Sequence, residues 1–200
     1  TEDWFVRSHF LPLLRRARDD GFDVVVAARL SGALPDVRVI DTPFPRGSML
    51  PWDMARQVAH LREVLVRERP DFVHAIALKP MALLALSGHS GAARVFALTG
   101  RGYLGVRRSL WARIVNGGLR TALRRALSEP RSVLLVENTE DRDWLSDNGD
   151  LDGKTLIMPG AGVDPDAYTP APEPIQGPIV VGLVARLIWT KGVDLAVAAV

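Results

Sequence analysis

The chain has 200 residues and no cysteine, so disulfides and thiolate metal sites are excluded. Hydrophobic residues make up 48% of it, enough to fill a large core, and the formal net charge is only +2. No run approaches the ~18 uninterrupted apolar residues that a membrane-spanning helix requires, and the first residues do not read as a secretory leader. The absence of cysteine fits a reducing compartment. The sequence opens without methionine and stops inside an alanine-rich apolar run, so both ends read as cut.

In chain order the pattern alternates helix and strand. Residues Ser8–Asp20 read as a helix, with Ser8 as cap and Phe10, Leu13, Leu14 and Ala17 at helical spacing; Gly21 ends it. Asp23–Ala28 is a short β-rich run, unbroken and apolar after the aspartate, as expected of a parallel strand buried on both faces. Val37–Ile40 reads as a second strand, and the loop Asp41–Pro51 follows with three prolines. Trp52–Arg69 is an amphipathic helix through Met54, Val58, Leu61 and Leu65, closed by Pro70. Asp71–Ala77 is a strand, Met81–Leu86 a helix and Arg94–Leu98 a strand. Ser109–Leu127 is a helix weakened at Gly117 and Gly118. Ser132–Glu137 is a strand, Thr139–Asp147 a short capped helix and Lys154–Met158 a strand. Pro159–Pro178 is rich in proline and glycine and reads as a linker region. Beyond it, Ile179–Val184 reads as a strand and Lys191 onward as a helix. This alternation predicts an α/β fold, a doubly wound parallel sheet with right-handed crossovers.

The small net charge hides an asymmetry. Between Phe72 and Ser128 there is no acidic residue but there are nine basic ones. A one-sign field of this length attracts an anion such as a nucleotide, a lipid phosphate or a membrane surface. The plainer reading is a set of solvated faces in an arginine-rich chain. Helix Ser109–Leu127 poses the same choice. Trp111, Val115, Leu119, Ala122 and Ala126 cluster on one side and Arg113, Arg120 and Arg124 on the other, which is either a core face with a solvated face or a docking surface for anionic lipid, aided by Arg107, Arg108 and Trp111.

In a doubly wound sheet, ligands sit beyond the carboxyl ends of the strands. The informative residues are therefore His74 and Lys79, the loop Thr99-Gly100-Arg101-Gly102, Asn138, the run Pro159–Asp164 with Gly160 and Gly162, and Arg186 with Lys191. Glycines let a backbone approach a ligand, although a lone Gly-x-Gly is as easily a tight turn. His74 and His9 have the chemistry to orient a hydroxyl or touch a phosphate, while a lone histidine is more often structural. No His/Asp/Glu grouping has metal spacing.

At these residues the chain resembles the retaining GT-B glycosyltransferases called family 4. The run Met158-Pro-Gly-Ala-Gly-Val-Asp164 with Tyr168-Thr-Pro170 is similar to that family's interdomain signature. Ala185-Arg186-Leu-Ile-Trp-Thr-Lys191-Gly192 is similar to the opening of its donor domain, and Arg69-Pro-Asp-Phe-Val-His74 to one of its strands. Glu2-Asp3-Trp4 with Ser8-His9-Phe-Leu-Pro12 resembles the end of its first loop and its first helix, which places the family's first strand ahead of Thr1. His74–Lys79, Leu98–Tyr103 and Val136–Asp141 match most closely the bacterial members that extend lipid-linked sugars. Two departures stand out: Gly160-Ala-Gly162 replaces the usual asparagine, and the family's carboxylate pair falls beyond residue 200, so no catalytic residue is assigned.

The resemblance implies an acceptor-side Rossmann-like domain over 1–170, a linker over 171–178 and the start of a donor-binding Rossmann-like domain over 179–200. It implies a metal-independent enzyme with no cofactor, taking a UDP-hexose or UDP-N-acetylhexosamine as co-substrate and a lipid-linked or other saccharide as acceptor. Arg186, Lys191, Gly160 and Gly162 would serve the donor. His9, His74, Lys79, Thr99, Gly100, Gly102 and Asn138 would line the acceptor-side cleft. The expected location is cytoplasmic, peripheral on the inner membrane face, with no nucleic-acid partner, and the piece on its own is expected to be inactive. Two alternatives remain: a sugar-nucleotide epimerase on the same plan, and a non-catalytic basic membrane-binding module.

Overall fold

The computed structural model describes the chain except residues 1, 33, 35, 36, 43–49, 90, 101–109, 147, 148, 161, 173–176, 179, 186, 188–190 and 200, and the side chains of 110–112. The chain divides into two units, Thr1–Gly162 and Val163–Val200. The division lies within the proline- and glycine-rich stretch Pro159–Pro178.

In the first unit, helices α1 (Asp3–His9) and α2 (Leu11–Asp19) replace the single expected helix. Pro12 stands in the first turn of α2 and has no N–H to offer Ser8, so the ladder breaks at Phe10. Ser8 is consequently inside α1 and caps nothing; its hydroxyl donates back to the Phe5 carbonyl at 3.2 Å. Strands β1 (Val25–Ala28) and β2 (Arg38–Asp41) pair in parallel. Helix α3 (Pro51–Glu68) starts on a proline, whose missing N–H costs nothing at that position, and ends on Arg69 in the left-handed region.

A second, four-stranded parallel sheet follows: β3 (Phe72–Ile76), β4 (Ala93–Leu98), β5 (Ser132–Val136) and β6 (Thr155–Ile157). It is linked by α4 (Leu78–Ser87), α5 (Leu110–Ser128) and α6 (Thr139–Leu145). The strands lie in the order of the sequence. Moving always in one direction with right-handed crossovers puts the linking helices on one face, and α3 to α6 indeed pack each on the next. The reversal of strand order that makes a sheet doubly wound is found within neither hydrogen-bonded sheet among the described residues.

Register fixes which side chains meet the helices. Arg94, Phe96 and Leu98 align with Ser132, Leu134 and Val136, and all are buried. Phe96, Leu98, Leu134 and Val136 form the core with Met81, Leu84, Leu123, Leu127 and Leu145. A fully buried phenylalanine or leucine contributes about 1.5–3 kcal/mol, so Phe96 and its neighbours anchor the sheet. The opposite face holds Phe72, His74, Ile76, Val95, Val133, Leu135 and Leu156, and is only partly covered: Phe72 is 48% exposed and Leu156 60%.

Helix α5 illustrates how a helix end is satisfied at depth. Four terminal carbonyls of a helix lack an internal partner. Here the Ser128 hydroxyl donates to the Arg125 carbonyl, Arg94 donates to that of Ala126, and the Lys154 ammonium donates to those of Leu127 and Ser128. Lys154 reaches the Glu129 carbonyl as well, at 2.7 Å. Two cations thus meet the negative end of the helix dipole.

The second unit contains helix α7 (Val193–Ala198). The strand expected over Ile179–Val184 is not formed across 180–184, and Val180 and Val184 are 87% and 101% exposed. A strand exists only by pairing, and no second strand stands in this unit among the described residues. Lys191 and Gly192 precede α7 and do not belong to it; Gly192 is the left-handed residue ahead of its first turn.

Candidate functional site

Because β3 to β6 are adjacent and parallel, the segments after them line one rim of the sheet, with neighbouring strands ~4.8 Å apart. Lys79, Thr99, Asn138 and the run from Met158 to Gly162 all follow those strand ends. Each has a definite local cause.

After β3 the chain turns at Ala77, which has φ 77° and ψ 158°. That region is almost reserved for glycine and costs an alanine on the order of 1–3 kcal/mol. The conformation is held from both sides: the Ala77 N–H donates to the Ala97 carbonyl at 2.8 Å, and Met81 donates to the Ala77 carbonyl at 3.1 Å. The turn sets Lys79 in the first turn of α4, half-buried. Desolvation lowers the pKa of its amine, and the nearby carboxylates of Asp53 and Glu2 partly counter that.

His74 lies in the middle of β3, set back from the strand end, on the sheet face turned away from α4 to α6. Its ring meets Phe72 edge-on at 6.3 Å. Burial lowers its pKa, and Nε2 finds no hydrogen-bond partner among the described residues. After β4, Thr99 and Gly100 are half-buried and Gly100 has φ 102°; Gly102 lies outside the described residues. After β5, Asn138 caps α6: Oδ1 accepts the Asp141 N–H at 2.8 Å and Nδ2 donates to the Asp141 carboxylate at 3.3 Å. Its side chain is therefore committed to the helix start.

After β6, Met158 donates to the Val136 carbonyl and extends the ladder before the chain turns. Gly160 (φ 85°) and Gly162 (φ 76°) both occupy left-handed backbone, and a methyl group on either would meet no atom within 4 Å. The demand for glycine there is conformational and has nothing to do with crowding.

His9 stands apart. It is exposed at the end of α1, 4.6 Å from the Phe5 ring and 2.6 Å from the Ser8 hydroxyl, and no described contact joins it to the rim. Of the basic residues on α5, Arg113 is exposed, Arg120 is half-buried, and Arg124 pairs with Asp150. The expected polar side is thus not uniformly open. Arg107, Arg108 and the Trp111 side chain lie outside the described residues, as does Arg186. Lys191 is exposed in the second unit.

One cluster escaped the sequence reading. Asp3 is shut away from solvent. Its carboxylate accepts the Ser31 hydroxyl at 2.6 Å, the Ser31 N–H at 2.8 Å, the Gly32 N–H at 2.7 Å and the Trp4 N–H at 2.7 Å. Hydrogen bonding to the ionised form holds its pKa at about 2. Asp3 thereby ties the start of α1 to the loop after β1. The local signal available was the Ser31-Gly32 pair following a strand. Beside it an open recess of about 490 Å³ is lined by Leu30, Ser31, Gly32, Leu34, Val37 and Val39. No group of three or more His, Cys, Asp or Glu that could hold a metal is present among the described residues, and no described helix is long and apolar enough to cross a membrane. No protein-family model matches the chain, and no curated protein sequence matches it either.

Proposed function

We propose that this chain is part of a retaining glycosyltransferase of GT-B architecture, moving a hexose or N-acetylhexosamine from a UDP-sugar to a saccharide acceptor, foremost a lipid-linked one. The observation that carries the reading is the ordered motif set, from Arg69–His74 through Met158–Pro170 to Arg186–Gly192. Of these runs, Met158–Pro170 begins where β6 ends, at the carboxyl rim of a parallel sheet, where such folds bind ligands. The two left-handed glycines at the end of the first unit suit a connection that must turn sharply.

In that reaction the bond between the anomeric carbon and the diphosphate oxygen breaks, and the electron pair leaves on the diphosphate. The acceptor hydroxyl bonds to the anomeric carbon and loses its proton. Growing negative charge on the leaving group is best met by fixed cations, the role assigned to Arg186 and Lys191. The exposed Arg113, with Arg107 and Arg108, would hold the enzyme near an anionic membrane surface on its cytoplasmic side.

Calorimetry with UDP on the complete polypeptide that carries this sequence tests the reading. Binding that weakens at least tenfold in Arg186→Ala and in Lys191→Ala is expected. Absence of binding, or unchanged affinity in both variants, refutes the donor assignment.

A further inference from the structure

Helix α3 has two contrasting faces. Met54, Leu61 and Leu65 pack into or against the core, and Gln57 and Val64 beside them are buried. On the opposite side, Trp52, Arg56, Ala59, Glu63 and Val66 follow one another at spacings of four, three, four and three residues. That alternation aligns them along a single seam, the spacing by which one helix meets another. The whole seam is open to solvent, with Trp52 60% and Val66 69% exposed.

The charges on this side divide into engaged and unengaged. Arg62 is drawn aside onto α4, where it donates to the carbonyls of Ser87 at 2.7 Å and Leu86 at 3.3 Å. Arg67 pairs with Glu68 at 2.9 Å. Arg56 and Glu63, on the seam itself, have no ion pair or side-chain hydrogen bond among the described residues. They stand about two helical turns apart, ~10.5 Å along the axis, too far to pair with each other. A cation and an anion so placed match the same helix running in the opposite direction. About a two-fold axis through Ala59, Trp52 comes level with Val66 of a second copy. Arg56 comes within one residue's rise, ~1.5 Å along the helix, of its Glu63. The symmetry makes the second ion pair with the first, and Ala59 at the crossing has no bulk to hold the helices apart. A parallel pairing would instead set Arg56 against Arg56 and Glu63 against Glu63.

We propose that this face of α3 is a docking surface for a second copy of the chain, the two helices packing antiparallel about Ala59. Tryptophan and arginine are the residue types over-represented at such contacts, and Trp52 covers its exposed indole against Val66 of the other copy. One helix pair covers less than the ~1,200–2,000 Å² of a standard stable interface. The association is therefore weak, with a Kd of roughly 1–100 µM, and its exposed ion pairs weaken it further at high salt. This inference uses the outer face of α3 alone and stands or falls separately from the glycosyltransferase reading.

Sedimentation velocity on the complete polypeptide that carries this sequence, from about 1 to 500 µM, is the test. A concentration-dependent dimer is expected. Arg56→Glu and Glu63→Arg each bring like charges together and should raise its dissociation constant at least tenfold. The double exchange, Arg56→Glu with Glu63→Arg, remakes both pairs with their signs reversed and should recover the original value. Trp52→Ala should weaken the dimer as the single charge changes do. The altered side chains are exposed, and an unchanged circular dichroism spectrum verifies that each variant is folded. A chain that stays monomeric throughout this range overturns the proposal. So does a dimer indifferent to the single charge changes, which forms through another surface. So does one weakened by both single changes and not recovered by the double exchange, which excludes the antiparallel pairing.

Discussion

Replacing Lys154 with methionine isolates one interaction whose value can be worked from the structure. The stem is retained in length and volume, and only the ammonium is lost. That group donates to three carbonyls, those of Leu127 at 2.8 Å, Ser128 at 3.1 Å and Glu129 at 2.7 Å. The Ser128 and Glu129 carbonyls are exposed enough for water to replace the lysine, so their loss is cheap. The Leu127 carbonyl sits on a residue with no exposed surface. A charge-assisted bond there is worth about 1.5–3 kcal/mol, and a cation at a helix carboxyl end adds about 0.3–1 kcal/mol. The expected loss is therefore about 2–4 kcal/mol. For a chain of this length, that shifts the unfolding midpoint by roughly 4–16 °C. Urea unfolding followed by circular dichroism measures it, with Arg16→Met as the reference. Arg16 forms only an exposed pair with Asp20, of the kind worth about 0.3–0.5 kcal/mol. A Lys154→Met variant no less stable than Arg16→Met would show that the α5 terminus is satisfied in some other way.

Four further outcomes follow from the same reasoning. Asp3 has its pKa lowered to about 2 in the fold, so its contribution is complete above pH ~4 and is lost as pH falls from there toward 2; Asp3→Asn should remove that limb from the stability profile. His74 is also shifted down, by burial, so the fold is weakened as pH drops below the ordinary histidine value near 6.5, and His74→Gln should flatten the profile there without touching the acid limb. Gly117 and Gly118 lie exposed inside α5, and an added methyl would meet no other part of the molecule; alanine at each should raise stability by about 0.5–1 kcal/mol in urea titrations. Asn138→Ala should lose about 1 kcal/mol through the α6 cap while Asn138→Ser keeps most of it; an activity loss in the serine variant with stability intact would instead place Asn138 in ligand contact.

What could be read from the sequence was what local pattern encodes. Strands β3, β4 and β5 were legible to within a residue or so, because an unbroken apolar run flanked by turn residues has few other uses. Helix α4 was placed too late because Pro80 read as a boundary, whereas the turn at Ala77 lets the helix start ahead of it. The break at Phe10 was written in Pro12 but was outweighed by the helical spacing on either side. The run 180–184 shows the opposite failure. Its composition is that of a strand, but strand formation is a property of pairs, and its second unit supplies no partner among the described residues. Of the candidate site, the rim positions were legible because they follow strand ends. Asp3 with Ser31, and Arg94 and Lys154 at the α5 terminus, were not. Each joins residues 27–32 positions apart and relies at least in part on backbone groups, which carry no side-chain signature.

The sequential order of the four-stranded sheet bears on how the chain acquires it. Each strand from β4 onward finds its mate in the element completed just before it, across a single helix, so little loop-closure entropy stands in the way. The sheet can be laid down strand by strand as the polypeptide is synthesised, each addition templated by an edge already present. The pair β1 and β2 has no further strand hydrogen-bonded to it among the described residues. It must wait for its surroundings, and its hydrogen bonds should be the first to open when the protein is warmed.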